Sequence, residues 1–272
     1  MSEAAALRHQ GWTGWRDTVR AEWTKLSTVA GPAWLLAAVV ALTVAVSATA
    51  DAATRCPVSQ ACSVDTVKLS LTGIQLGQGL VAILAVLPVC NEYSSGMIRV
   101  TLAAMPRRLT VLGAKTSVAA GLVLVAGAFA VLGSLVAGVL ILPGHGFTAA
   151  RGFAALSLTY GPTLRATVGS VLYLGLIAVL SMGIAAMVRD SAVSIGLALG
   201  LLYLFPVVDA FIGNQVWHNR IARYSPMAGL NIQATTGLHS LPISPWGGLG
   251  VLAIWSAAAL LAGGQFLRAR DA

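Results

Sequence analysis

The sequence predicts an all-α polytopic membrane protein with six transmembrane helices. Its composition and the length of its apolar runs support this prediction. Of its 272 residues, 57% are hydrophobic and only 10% are charged, and the mean hydropathy is +0.82. So apolar a chain cannot bury its apolar side chains in one core and still present a wettable surface to water. It therefore belongs in a bilayer.

Apolar runs of the length that crosses a bilayer as a helix, about 20 residues, occur at six positions. The third run is overlong, so we expect it to tilt or to end in the interface. Ala48-Thr49-Ala50 resembles a signal-peptidase site, but the roughly thirty polar and aromatic residues ahead of the apolar run are unusual for a signal peptide, so we expect an uncleaved span. The predicted spans are Ala33–Ala50, Leu69–Cys90, Leu112–Leu142, Ala166–Val188, Ser191–Val208 and Trp246–Leu267.

The distribution of lysine and arginine predicts the orientation. With both termini in the cytoplasm, eleven cations fall in inner segments and six in outer ones, as the positive-inside tendency requires. The net charge of +8 therefore reflects topology and contact with anionic lipid, and we expect no nucleic-acid partner. The expected location is the cell membrane, crossed several times. The inner cations are Arg8, Arg16, Arg20, Lys25, Arg99, Arg107, Arg108, Lys115, Arg189, Arg268 and Arg270.

The N-terminal segment has the periodicity of an amphipathic helix. Its apolar residues recur at helical spacing, and its charged residues fall largely elsewhere on the wheel. We therefore predict a cytoplasmic elbow over residues 1–31, ahead of a single six-helix transmembrane domain over residues 32–272. The elbow either anchors the chain in the headgroup layer or transmits motion into the first span. Its apolar residues are Trp12, Trp15, Val19, Trp23 and Leu26, and its charged ones are Arg16, Asp17, Arg20, Glu22 and Lys25.

Several kinds of chemistry are missing from the sequence. No carboxylate, histidine, lysine or arginine is predicted near the middle of a span, where ion-driven transporters usually need an ionisable or coordinating group. There is no phosphate-cradling G-x-x-x-x-G-K-[ST] loop, no H-E-x-x-H and no G-x-S-x-G. We therefore expect no catalytic residue, no metal site and no cofactor in this chain, and the energy for any uphill transport must arrive from outside the membrane.

Two further pairs of residues are candidates for specific roles. Cys56 and Cys62 lie in the first outer loop, where an oxidising exterior permits a disulfide; two free thiols are the alternative. Gln75 and Gln78 are the most polar side chains inside a span, and they either line a substrate path or form hydrogen bonds between helices. Cys90, at the inner end of the same span, is interpreted as a small buried apolar residue.

Small residues at four-residue spacing predict close helix packing in three of the spans. Such patterns favour a bundle and are compatible with a dimer. The three stripes are Gly73 and Gly77, then Ala126, Ala130, Ser134 and Gly138, then Ala192, Gly196 and Gly200.

The polar stretch between the second and third spans, "NEYSSGMIRVTLAAMPRR", predicts a short cytoplasmic helix. The second span is expected to end at Asn91 or Glu92, and Ser94-Ser95-Gly96 then breaks the helix. Met97 to Met105 form an amphipathic segment before Pro106. A soluble partner that binds this segment is able to tilt both adjoining spans together.

These residues resemble a known family. "EYSSGMIRVTLAAMPRR" is similar to the coupling region of type 2 ATP-binding cassette (ABC) permeases, where a glutamate at the end of the second span precedes a helix that docks on the ATPase. The resemblance extends over nearly the whole chain through the "RAEWTKL" elbow, the six spans and the outer segment carrying "YSPMAGLN". In the family that outer segment, here roughly Pro206 to Pro245, forms a re-entrant hairpin. Its many glycines and prolines make a broken path plausible independently.

The resemblance implies a non-catalytic permease subunit of a bacterial exporter, with multidrug transporters among its relatives. Two copies of the chain, or the chain and a related permease, are expected to pair with two ATPase subunits that bind ATP and Mg²⁺. ATP hydrolysis is expected only in that complex. Apolar walls suit a hydrophobic or amphipathic substrate such as a drug, a lipid or an antibiotic peptide.

The resemblance also implies roles for individual residues of the coupling region. Glu92 is expected to anchor the region, and its arginines make polar contacts or clamp lipid, unless they are ordinary positive-inside flanking charges. The expected docking face for the ATPase is Met97, Ile98, Leu102 and Met105, and the arginines are Arg99, Arg107 and Arg108.

Two alternative functions stay open. One is a membrane-embedded enzyme acting on lipid or peptide, which requires clustered outer polar groups such as Asp209, His218 and His239. The other is a membrane sensor or partner protein that binds a protein through the coupling region without transport.

Overall fold

The computed structural model describes residues 15–25, 28, 30–57, 62–98, 108–153, 156–211 and 214–269, and their regular structure is entirely helical. Six helices are long and apolar enough to cross a membrane, which confirms the predicted all-α class and the number of spans. The α-helices are α1 (15–25), α2 (Ala30–Ala53), α3 (Thr66–Ser70), α4 (Ile74–Ser94), α5 (Arg108–Ile141), α6 (Gly161–Val188), α7 (Ser191–Phe211), α8 (Gln215–Tyr224) and α9 (Pro245–Ala269). The six long apolar helices are α2, α4, α5, α6, α7 and α9.

The second span begins later than the sequence predicts. Residues 66–70 form the separate helix α3, residues 71–73 form a turn, and α4 begins at Ile74. The turn is held against α2, because the Gly73 N–H donates to Ser47 Oγ at 3.1 Å. The local sequence does not reveal such a break, since apolar residues mixed with polar ones lie on both sides of it. The predicted break after the span is confirmed: α4 ends at Ser94, and Gly96 adopts a φ of 70°.

Helix α6 forms the centre of the bundle and packs against α4, α5 and α9. Helix α2 packs on α5 and α4, whereas α7 lies at the periphery beside α4 and α6. Two of the predicted small-residue stripes lie at tight contacts: a Cβ on Gly73 would meet the Thr43 carbonyl oxygen, and one on Gly138 would meet Ser70. The α7 stripe has a different environment, because Gly196 and Gly200 face open space.

The segment between α7 and α9 returns into the bundle. Trp255 Nε1 donates a hydrogen bond to the Tyr224 carbonyl at 3.0 Å, and Trp255 lies about 15 Å along α9 from Pro245 at about 1.5 Å per residue. The following 3₁₀ segment, Pro226–Gln233, is largely buried between α6 and α9. The end of α8 therefore reaches the middle of α9, and the chain then runs back toward the start of that helix.

The face of helix α1 that packs on the bundle carries both apolar and polar residues. Trp15 and Val19 are half-buried as expected, but Trp23 is 54% exposed, and Thr18 and Glu22 are buried. Glu22, one of the charged residues of the predicted elbow, therefore lies on the packed face of α1, and Trp23 lies on its outer face. Glu22 is buried because its carboxylate forms an ion pair with Lys115 inside the bundle. Trp12 and Leu26 lie outside the described residues.

The bundle has two chemically distinct ends. At one, which we call the cluster end, Arg108 and Arg189 donate to carbonyl groups in the last turn of α9, those of Leu267 and Phe266. At the other, the disulfide end, Cys56 and Cys62 are joined by a disulfide. Arg151 fastens the loop there by donating to the carbonyls of Cys56, Gly146 and Pro57.

Candidate functional site

Four charged side chains meet at the cluster end. Lys115 Nζ lies 2.8 Å from Glu22 Oε2 and 2.9 Å from Glu92 Oε1. Lys25 Nζ approaches the same two carboxylates, 2.7 Å from Glu92 Oε1 and 3.3 Å from Glu22 Oε1. We call Glu22, Lys25, Glu92 and Lys115 the charge cluster.

The charge cluster joins three elements that are distant in sequence. Glu22 and Lys25 come from α1, Glu92 from the last turn of α4, and Lys115 from the second turn of α5. The predicted end of the second span and the start of the third are therefore bonded to the N-terminal helix. Displacing any one of the three elements breaks ionic hydrogen bonds to the other two.

Burial makes these bonds strongly interdependent. Glu22 is 3% exposed, and Glu92 and Lys115 are each 4% exposed. Two carboxylates and two ammonium groups balance, so the cluster has no net charge. Removing one partner from such a buried pair typically costs about 3–5 kcal/mol, because an uncompensated charge is left behind.

Lys25 is the member of the cluster that faces solvent, with a side chain 42% exposed. Partial burial disfavours its ammonium form, but hydrogen bonds and charge attraction from Glu92 and Glu22 outweigh that effect and hold the pKa of Lys25 above its ordinary value. The residue therefore stays cationic at physiological pH, and the cluster keeps its balance of charge.

Two arginines extend the connection to α9. Arg108 Nη1 donates to the Leu267 carbonyl at 3.0 Å, where a cation suits the negative end of the helix. The Arg189 guanidinium stacks over the Tyr93 ring at 5.0 Å from its centroid. Since Tyr93 directly follows Glu92, these contacts connect the end of α4 to the ends of α6 and α9.

A cavity of about 390 Å³ opens beside the charge cluster. All four cluster residues lie on its wall, together with Asn91. Away from the charges, the wall consists of apolar side chains from α2, α4 and α5. Its leucines are Leu35, Leu36, Leu84, Leu87 and Leu122.

The structure separates the predicted coupling residues. Glu92 is in the charge cluster, Arg108 binds α9, and Met97 is 49% exposed. Ile98 is only 9% exposed, beside Val111 and Leu112. Ile98 therefore packs largely on its own chain, and its place in the docking face stays a prediction. Arg99, Leu102, Met105 and Arg107 lie outside the described residues.

The two glutamines of the second span do not line this cavity. Gln78 is fully buried; its Oε1 accepts a hydrogen bond from the Tyr173 hydroxyl of α6, and its Nε2 donates to the Gln75 carbonyl at 3.1 Å. The Gln75 carbonyl also accepts from the Tyr203 hydroxyl of α7. These contacts favour the helix-bridging interpretation of Gln78 over a substrate path. The Gln75 side chain is exposed.

Asp65 fastens the disulfide end. It caps α3 through the Lys68 N–H at 3.1 Å, and it accepts from Thr235 Oγ1 and the Thr236 N–H, each at 2.8 Å. Burial disfavours its carboxylate, but these hydrogen bonds outweigh burial and hold the pKa of Asp65 below its ordinary value. The ionised carboxylate therefore joins the start of α3 to the segment before α9.

Sequence reasoning missed three of the four members of the charge cluster. Glu22, Lys25 and Lys115 resemble ordinary surface and flanking charges. One signal was present: Glu22 lies seven residues after Trp15 and three after Val19, on the stripe of α1 that faces the bundle. Among the described residues, no group of three or more histidine, cysteine, aspartate or glutamate side chains is placed to hold a metal ion.

No protein-family model matches this sequence, and no curated protein matches it significantly.

Proposed function

We propose that this chain is the membrane-spanning permease subunit of an ABC exporter in the cell membrane. One observation carries the proposal: Glu92 binds both Lys25 and Lys115 at the point where the chain leaves α4 for the polar stretch that resembles a coupling region. A force applied to that stretch reaches three elements at once. The permease contributes the substrate path and the mechanical link, and separate ATPase subunits supply ATP, Mg²⁺ and hydrolysis.

In the proposed topology the cluster end faces the cytoplasm and the disulfide end faces outward. The predicted inner cations Lys25, Arg108, Lys115 and Arg189 all lie at the cluster end, which agrees with the positive-inside tendency. Helix α1 then lies at the cytoplasmic headgroup layer as the elbow, and both termini are cytoplasmic. The segment from α8 to Gln233 is the re-entrant hairpin on the outer side, supported by the contact of Tyr224 with Trp255.

The transport step is a rigid-body transition between inward-open and outward-open states. Closure of two ATPase subunits moves the coupling stretch, and the charge cluster transmits the movement to α1, α4 and α5. Two permeases, either two copies of this chain or this chain and a relative, enclose the path. A hydrophobic or amphipathic substrate, a drug, lipid or antibiotic peptide, suits the apolar walls that the spans offer.

The proposal is tested by affinity purification of the tagged chain from its native membrane. We expect a stoichiometric ATPase partner and measurable ATP hydrolysis. Met97→Asp places a charge on the exposed apolar residue at the start of the coupling stretch and should lose the partner. Leu238→Asp, a change at a 38% exposed residue of the disulfide end, should retain it. A folded wild-type chain that purifies without an ATPase contradicts the proposal.

A further inference from the structure

The cavity at the cluster end combines an apolar wall with an incompletely bonded carboxylate. Glu92 Oε1 accepts hydrogen bonds from both lysines, but Oε2 of the same group is buried and has no hydrogen-bond partner in the described part of the chain. A buried carboxylate oxygen without a donor is energetically unfavourable. Glu92 lies on the cavity wall, so a small rotation of its carboxylate lets a ligand in the cavity supply the missing donor.

Lys25 contributes a positive charge at the same end of the cavity. Its ammonium carries three N–H donors, of which two point at Glu22 and Glu92, and its side chain is 42% exposed. The cavity wall therefore holds a buried anionic acceptor beside a partly exposed cationic donor. Since the cluster is already balanced, a ligand that brings one positive and one negative group preserves that balance.

The apolar part of the cavity points to a lipid tail. Along α4 its wall extends from Glu92 to Leu84, eight residues or about 12 Å of helix. On the facing helix it extends from Gly31 to Leu36. Charges at one end and leucines along the length are the arrangement that an amphiphile requires, with its headgroup at the membrane surface and its chain among apolar side chains.

We propose that this cavity binds a phospholipid with a primary-ammonium headgroup. The ammonium donates to Glu92 Oε2, the phosphate accepts from Lys25, and an acyl chain lies on Leu35, Leu84 and Leu87. Phosphatidylethanolamine meets these requirements, whereas the quaternary ammonium of phosphatidylcholine has no N–H to donate. This site does not depend on the proposed transport function.

The test compares lipids on the wild-type chain. Native mass spectrometry of the detergent-purified protein is titrated with palmitoyl-oleoyl phosphatidylethanolamine, and with the phosphatidylcholine and phosphatidylglycerol of the same chains. We expect the ethanolamine lipid to bind about tenfold or more tightly than the choline lipid, the effect of one hydrogen bond to a charged group. Equal binding of the two, or preference for phosphatidylglycerol, overturns the headgroup assignment.

A matched pair of variants tests the location. A Cβ at Gly31 meets nothing within 4 Å, and Gly31 lines the cavity, so Gly31→Leu adds bulk to the cavity wall at a position outside the charge cluster. Gly121 of α5 is equally open and does not line the cavity. We expect Gly31→Leu to weaken ethanolamine-lipid binding about tenfold and Gly121→Leu to leave it unchanged. Full binding by a folded Gly31→Leu protein overturns the location.

Discussion

Glu92 accepts a hydrogen bond from Lys115 at 2.9 Å, and both side chains are only 5% exposed. This pair bridges the two spans that flank the polar stretch from Asn91 to Arg108. Lys25 reaches the same carboxylate oxygen at 2.7 Å, so the N-terminal helix is bonded at the same point. The glutamate is thus the common partner of two cations from different parts of the chain.

Replacing Lys115 with methionine should destabilise the protein strongly. Methionine keeps the approximate length of the side chain but removes the buried ammonium from the Glu22 and Glu92 carboxylates, which then keep the partly exposed Lys25. We expect a loss of roughly 3–5 kcal/mol in the free energy of unfolding, measured by unfolding in mixed detergent–SDS micelles. Lys68→Met, the same change at an exposed lysine of α3, is the control and should have little effect. Equal stability of the two variants contradicts a buried ionic role for Lys115.

The contact between α2 and α4 should not tolerate a methyl group at Gly73. An added Cβ lies 2.0 Å from the Thr43 carbonyl oxygen, and backbone cannot move aside as a flexible side chain does. Overpacking of this kind typically costs about 1–3 kcal/mol. Gly200→Ala, in the stripe of α7 that faces open space, should be neutral or slightly stabilising because alanine favours helix. The midpoint of thermal unfolding in detergent distinguishes them, and a stable Gly73→Ala protein is evidence against this packing.

Acid should weaken the disulfide end through Asp65. Its pKa in the folded protein is lowered, below the ordinary value of about 3.9 in an unfolded chain. Its stabilising contribution is therefore complete above pH about 4 and is lost as the pH falls through the folded pKa. We expect the stability difference between wild type and Asp65→Asn to shrink as the pH falls from about 5 to about 2, two values on either side of the ordinary aspartate pKa of about 3.9. A difference that is constant across this range would falsify the proposed linkage.

Cysteine labelling should report the orientation of the bundle. Cys56 and Cys62 are bonded to each other, and Cys90 is 1% exposed. In intact cells we expect a membrane-impermeant maleimide to label the chain only after reduction, and then at Cys56 and Cys62. Labelling without reduction contradicts the disulfide. Labelling that requires both reduction and permeabilised cells places the disulfide end in the cytoplasm.

The sequence predicts where the helices of this protein lie along the chain better than it predicts which residues they contact. Apolar runs reveal six spans, and the Ser94–Gly96 break is visible because glycine and serine end helices locally. Burial of Glu22 is not visible in the same way, since it depends on Lys115, ninety-three positions later. The break at residues 71–73 is hidden for a related reason: it depends on the contact of Gly73 with Ser47, which lies twenty-six positions earlier in the chain.

Two small-residue stripes with the same spacing lie in different environments. The Gly73–Gly77 and Gly196–Gly200 pairs have the same spacing, yet the first meets Thr43 of α2 and the second faces open space. A periodic stripe indicates which face of a helix permits close approach, but the presence of a neighbour is decided by how all six spans assemble. For the same reason the sequence does not show that Gln78 forms a hydrogen bond between helices, because its partner Tyr173 lies on another span.

The most direct test of the central claim is photo-crosslinking from position 97 in the native membrane. Met97 is exposed at the start of the proposed coupling stretch, five residues after Glu92. A photoreactive amino acid at position 97 should capture an ATP-hydrolysing subunit, while one at position 238 of the disulfide end should not. Capture of an ATPase at position 97 alone is the result that the proposed coupling role predicts. Capture of only lipid at position 97, with the chain folded and abundant, contradicts it.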